Sequence, residues 1–254
     1  MRPIHLLYLA VLTLSLPLSS SAETIKVAVA ANFTSTMNVL VAEFEKSSGH
    51  EVDISFASSG KIYAQIINGA PYHAFFSADQ TTPEKLEIVG KAVPGTRFTY
   101  AIGALALWSA KPNFIDGQIQ VLKTGQFNKI ALANPKLAPY GAAAVEVLEK
   151  LDLVKATQPK WVQGENIAQT YQFVFTGNAD LGFVALSQIM QDGKLKSGSY
   201  WPIPTDLHTP ILQEAQLLLP GKNNIAAQEL MAFMQSGLAK AIIRSHGYQT
   251  AGEQ

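Results

Sequence analysis

The chain has 254 residues, 48% hydrophobic and 15% charged, which excludes a disordered protein and leaves room for one large or two modest domains. Its 19 basic and 19 acidic residues cancel, so nothing in the overall charge points to nucleic acid or an anionic lipid surface, and any anion preference must be local. With no cysteine, disulfides, thiolate metal sites and thiol nucleophiles are excluded together.

At the N-terminus, Arg2 and His5 precede an apolar run over 6–16, followed by Pro17 and the small residues Ser19, Ser20, Ser21 and Ala22. This predicts a secretory signal peptide over 1–22, cleaved after Ala22. The run is shorter than the roughly 20 residues that cross a bilayer. The expected location is therefore the bacterial periplasm or cell surface.

After the signal, strands and helices alternate. Residues 25–31 predict a strand, and 34–48 a helix with Met37, Leu40, Val41 and Phe44 at helical spacing, stopped by Gly49. Residues 51–57 and 60–68 repeat the pattern, with Ile62, Ile66 and Ile67 on the helix and Gly69 after it. A third strand is expected over 73–77. Thr81 or Thr82 then caps a helix that has Pro83 at its start. Residues 99–109 predict one longer, nearly continuous apolar strand containing Gly103.

A second series follows: strand 129–133, helix 140–150, strand 161–163, helix 167–176, strand 181–184 and a short helix over 186–191. The segment 202–210 holds three prolines and excludes a regular helix. Residues 212–219 resume as a strand, and 225–245 supply C-terminal helices. Repeated β-α units predict an α/β fold with mainly parallel sheets in two lobes, the chain returning to the first at its end. The expected division is lobe 1 over 23–101 plus 206–254 and lobe 2 over 102–205.

Two strand-to-helix junctions carry small, uncharged polar residues, Ala31-Asn32 and Ser58-Ser59-Gly60, and the second series offers two comparable ones, Pro139-Tyr140-Gly141 and Gly164-Glu165-Asn166-Ile167. The first N–H groups of a helix have no intrahelical acceptor and lie at the positive end of the helix dipole, so such junctions suit an anion. Each residue taken alone also fits a local role: Asn32 and Ser59, or the neighbouring Ser58, as helix caps, Tyr140 as a half-buried core residue, and Ile167 as an ordinary apolar helix position. Asp79 and Asp180 fit caps or turns better than catalysis, because no carboxylate or histidine partner stands at a convincing spacing. His50, His73, His208 and His246 form no metal-binding pair. No nucleophile elbow, P-loop or dinucleotide fingerprint is present.

Six segments in order then resemble the periplasmic molybdate-binding proteins that feed ABC transporters: Ala30-Ala31-Asn32-Phe33-Thr34, Phe56-Ala57-Ser58-Ser59-Gly60, the run over 64–71, Phe75-Phe76-Ser77-Ala78-Asp79-Gln80, Ala138-Pro139-Tyr140-Gly141 and Ala179-Asp180-Leu181-Gly182-Phe183-Val184. The resemblance covers essentially the whole mature chain. It implies a two-lobed periplasmic binding protein of type II, each lobe a mixed, mainly parallel sheet flanked by helices, with the ligand in the interlobe cleft. The ligand it implies is molybdate, with tungstate beside it, held without a charged side chain and without a bare metal ion or cofactor.

The contact positions implied are Asn32 through its side-chain amide, Ser59 through hydroxyl and N–H, Tyr140, and Ile167 through its N–H, with Ala31 beside them. Two positions depart from the family pattern. Ala185 stands where several members place a tyrosine hydroxyl on the anion, and Tyr140 is the candidate replacement. Ala31 stands where some relatives have a hydroxyl residue, leaving only its N–H. The implied partners are the oxyanion and a membrane permease that docks the closed form, with no nucleic acid and a monomeric carrier. Two other readings stay open: a carrier of sulfate or a ferric complex on the same architecture, and a secreted hydrolase using Ser59.

Overall fold

A computed structural model describes residues 22–250, so the expected signal segment lies outside the described residues apart from Ala22. The chain opens with strand β1 (Thr24–Ala30), a 3-10 turn at Ala31–Phe33 and helix α1 (Thr34–Ser48). On β1, Ile25, Val27 and Val29 pack against Met37, Leu40 and Phe44 of α1, while Ala28 faces the opposite side with Phe75 and Ile62. Alternation along one strand thus fills two cores, as expected of a sheet covered by helices on both faces. Gly49 ends α1 in the left-handed region, φ 76°, and its N–H returns to Glu45 O.

Strand β2 (Glu51–Ala57), helix α2 (Ser59–Ile67), strand β3 (Ala74–Phe76), helix α3 (Thr81–Ile88) and strand β4 (Phe98–Gly103) complete the outward path through this lobe. The second lobe contains β5 (Leu105–Ser109), α4 (Gln120–Thr124), β6 (Ile130–Ala133), α5 (Pro139–Lys150), α6 (Val154–Thr157), β7 (Trp161–Gly164), α7 (Ile167–Phe175) and β8 (Leu181–Ala185). It ends with α8 (Leu186–Ile189), a small hairpin of β9 (Met190–Gln191) and β10 (Lys194–Leu195), and β11 (Ser199–Pro202). The chain then returns through β12 (Ile211–Leu217), α9 (Ile225–Phe233) and α10 (Gly237–Ser245).

The first sheet has the order β2-β1-β3-β12-β4 and the second β11-β5-β8-β6-β7. In the first, β1 runs parallel to β2 and β3, while the returning β12 is antiparallel to β3 and β4. In the second, β6 is parallel to β7 and β8, while β5 is antiparallel to β8 and β11. This is the expected two-lobed, mixed, mainly parallel α/β architecture.

Several boundaries differ from expectation for identifiable reasons. The single strand expected over 99–109 is two strands in two sheets, because β4 pairs with β12 through Gly103 and β5 pairs with β8 from Leu105. β5 is fully buried and β4 is buried or half-buried along its length, so the apolar run continues across a change of sheet. Ala31 belongs to the 3-10 turn rather than to the first strand. The helical segment over 225–245 is divided at Ser236, whose side chain accepts from Ala239 N and starts α10. Residues 190–191 pair as β9 instead of prolonging α8.

Helix α5 lies close against β6, and Gly141 makes that approach possible. A Cβ there would overlap Ala133 O and stand 2.8 Å from its carbonyl carbon. Gly141→Ala should therefore push α5 off the sheet and destabilise the fold by about 1–3 kcal/mol. Urea unfolding checks this as a lower midpoint with an unchanged slope.

Candidate functional site

All four junctions meet at one interlobe cavity. Its walls are Ala30, Ala31 and Asn32 at the end of β1, Ser58 and Ser59 at the start of α2, Ala78 after β3, Ala138 to Tyr140 at the start of α5, and Asn166 and Ile167 at the start of α7. The cavity is small. No lining residue carries a carboxylate, ammonium, guanidinium or imidazole group.

The local sequence explains each approach. Pro139 fills the first helical position of α5, where a missing N–H costs nothing, and puts Tyr140 next. Asn166 caps α7 by accepting from Ala168 N and Gln169 N, which orients the Ile167 N–H outward without using it. At α2, Ser59 Oγ accepts from Ala78 N at 3.0 Å, which fixes the oxygen and leaves the hydroxyl hydrogen to donate elsewhere. Ser58 is the N-cap residue by position but makes no capping bond, and its buried Oγ has no protein partner. It is the polar wall residue that sequence reasoning treated only as a rival cap. A doubled serine at a strand-to-helix junction was the available signal.

Asn32 differs from expectation. Both hydrogens of its amide are engaged, Nδ2 donating to Gln213 Oε1 at 2.8 Å and to Tyr248 Oη at 3.0 Å. The side chain therefore serves the protein network rather than standing free as a donor. Tyr140 reaches the same network, where its oxygen accepts from Gln213 Nε2 at 3.2 Å. That arrangement leaves the phenolic hydrogen unassigned to any protein acceptor. Ala185 is fully buried and does not line the cavity.

The lobes are tied together around this point. Gly60 N donates to Leu137 O at 2.9 Å, and Ser187 Oγ donates to Tyr248 Oη at 2.9 Å. Lys61 pairs with Glu165 at 2.6 Å, but both side chains are nearly half exposed, so this pair contributes at most about 1 kcal/mol. Ala30 and Ala78 pack into the same apolar cluster as Ala138, Tyr140 and Ile167, so the apolar contact also crosses the cleft.

The residues set aside in the sequence have structural roles. Asp79 accepts from the Thr82 N–H and hydroxyl in the first turn of α3. The Asp180 carboxyl bonds Lys111, which holds its pKa below the usual range, and it also accepts from Asn128 N and Lys129 N. Among the described residues no group of three or more His, Cys, Asp or Glu is placed to hold a metal ion. No base touches Ser59, whose oxygen accepts from a backbone amide, so the geometry does not favour the hydrolase reading.

Burial raises the Tyr140 pKa well above its ordinary value, with Tyr248 and Tyr100 adding and the Gln213 hydrogen bond opposing. Tyr100 is raised by burial, then by Tyr248 and Asp79. Tyr248 is raised to about 12 by burial, opposed by its bonds to Ser187 and Asn32. All three stay neutral hydroxyls at ordinary pH. Above about pH 10 the unfolded chain releases phenolic protons that the native state retains. Stability should therefore hold level up to about pH 10 and fall as pH rises toward 12, as urea titrations across that range will show.

The chain matches the family described as bacterial extracellular solute-binding protein over residues 25–249. It is 54% identical over 230 residues to the molybdate-binding protein ModA of Azotobacter vinelandii, covering 91% of each chain. It is 46% identical over 239 residues to the molybdate-binding protein ModA of Rhodobacter capsulatus, covering 94% of this chain and 93% of that one. Among solved structures, it superposes on an Azotobacter vinelandii periplasmic molybdate-binding protein with a TM-score of 0.85 at 46% identity, covering 88% of this chain and 98% of that one.

Proposed function

We propose, for a chain that belongs to the molybdate-binding ModA family of bacterial extracellular solute-binding proteins, that the cavity at the four helix starts is where molybdate is captured for delivery to an ABC permease. The observation that carries this assignment is the wall chemistry: four helix N-termini and neutral hydroxyls with no ionised side chain. A helix N-terminus presents roughly half a positive charge, so four supply on the order of two opposite a tetrahedral dianion. The anion therefore needs no lysine or arginine, whose own desolvation would add to the cost of burial.

The donors are the backbone N–H groups of Asn32, Ser59, Tyr140 and Ile167, with Ala31 beside Asn32. The hydroxyls of Ser58, Ser59 and Tyr140 supplement them. Tyr140 takes the place of the hydroxyl that relatives carry at the position of Ala185. A protonated oxyanion such as hydrogen phosphate brings an O–H of its own, and no carboxylate lines the cavity to accept it. Tungstate, alike in charge and shape, is accepted on the same donors.

The lobes divide where the chain changes sheet, after Gly103 and again between β11 and β12, and they close on the anion. The exported protein is a monomer in the periplasm, its signal peptide removed after Ala22, and the closed form docks transiently on the permease.

Isothermal titration with molybdate, tungstate, sulfate and phosphate tests the assignment, with molybdate heat expected and phosphate silent. Ser58→Ala and Ser59→Ala each remove a hydrogen bond to a charged group, worth roughly 1.5–3 kcal/mol, so each should weaken molybdate binding about ten- to 150-fold. Unchanged affinity in both variants, or no heat from molybdate in the wild type, overturns the proposed site.

A further inference from the structure

Gln213 is fully buried in β12, at the point where pairing with β4 slips between Gln213 and Glu214. The extra residue is Tyr100 on β4, left unpaired between Thr99 and Ala101, and its hydroxyl lies 3.1 Å from the Gln213 amide oxygen. Gln213 touches the two lobes at once. Its Oε1 accepts from Asn32 Nδ2 at 2.8 Å and from Tyr100 Oη at 3.1 Å, while its Nε2 donates to Tyr140 Oη at 3.2 Å.

The direction of these bonds follows from acceptors that cannot reverse. Tyr248 donates its hydrogen to the backbone carbonyl of Asn32 at 2.9 Å, so toward the Asn32 side chain it can only accept. Asn32 must then present Nδ2 to both Tyr248 and Gln213. Gln213 consequently presents Oε1 to Asn32 and Nε2 to Tyr140. With Nε2 donating to its oxygen, the Tyr140 hydroxyl keeps a hydrogen that the network does not take up, on a residue that lines the cavity. Tyr100 fits the same order, its hydrogen within reach of Ser77 O and Gln213 Oε1, both acceptors.

We infer that Gln213 is a positioning residue that sets the polarity of the Tyr140 hydroxyl, holding it as a donor to the oxyanion through a relay that begins at the Asn32 carbonyl. This rests on reading the cavity as the anion site. It makes one corner of the cavity selective for a fully ionised guest, because an O–H arriving there meets a donor. Gly103 protects the contact. A Cβ at Gly103 would overlap Tyr140 Oη and stand 2.7 Å from Gln213 Nε2.

The test is titration of molybdate into wild type, Gln213→Glu, Tyr140→Phe and the double variant from pH 6 to 9.5, with Gly103→Ala alongside. A glutamate at 213 keeps the acceptor for Asn32 and Tyr100, but when ionised it accepts the Tyr140 hydrogen instead of donating. The titratable neighbours are Tyr100, Tyr140 and Tyr248, with Asp79 acting on Tyr100.

At high pH Gln213→Glu should lose about ten- to 150-fold in affinity, and the loss should reverse as the carboxyl takes up a proton. The same substitution should cost far less in the Tyr140→Phe background. Gly103→Ala introduces no charge and should show the same dependence on the Tyr140 hydroxyl, which keeps the test intact if Gln213→Glu does not fold. A Gln213→Glu affinity equal to wild type at every pH, or an equal loss with and without the hydroxyl, overturns the inference. Absence of wild-type molybdate binding would instead overturn the site itself.

Discussion

A small dianion can be taken out of water only if something replaces its hydration, and on the proposed reading of this cleft the replacement is backbone N–H groups at helix starts. Everything around the cleft serves that requirement. Helices α1, α2, α5 and α7 each follow a strand end, so the two sheets deliver four positive dipole ends to one point. Pro139 and Asn166 orient their helix starts without using the donors that face the cavity. The cavity walls stay free of ionised side chains.

A neutral site places unusual weight on hydrogen-bond direction, because a hydroxyl or an amide can face either way. The buried network of Asn32, Gln213, Tyr100, Tyr140, Tyr248 and Ser187 resolves that ambiguity from backbone carbonyls outward. Each tyrosine in it remains protonated because burial disfavours the phenolate. The same bonds join the lobes, so the network that orients these groups spans the cleft. Glycines permit the close approach: Gly60 sits against Leu137 across the cleft, and Gly103 sits under Tyr140.

Alternating strands and helices, their spacing, the proline-rich return segment and the four small-residue junctions were legible because each is set by neighbours within a few residues. Those local patterns fixed the fold class and put Asn32, Ser59, Tyr140 and Ile167 at or beside helix starts, while Ala31, expected to end the first strand, lies in the 3-10 turn. The split of the expected 99–109 strand was not legible, since a strand leaving one core and entering another stays apolar throughout. The use of the Asn32 amide was not legible either. Its partners, Gln213 and Tyr248, lie 181 and 216 residues away, and no local rule connects them. Ser58 and Ser59 look interchangeable as text. Only the fold gives one of them the Ala78 N–H and leaves the other without a protein partner. Sequence alone thus determined which segments present donors, because helix starts are local. Tertiary structure decided which donors remain for a guest, because that depends on acceptors brought in from distant parts of the chain.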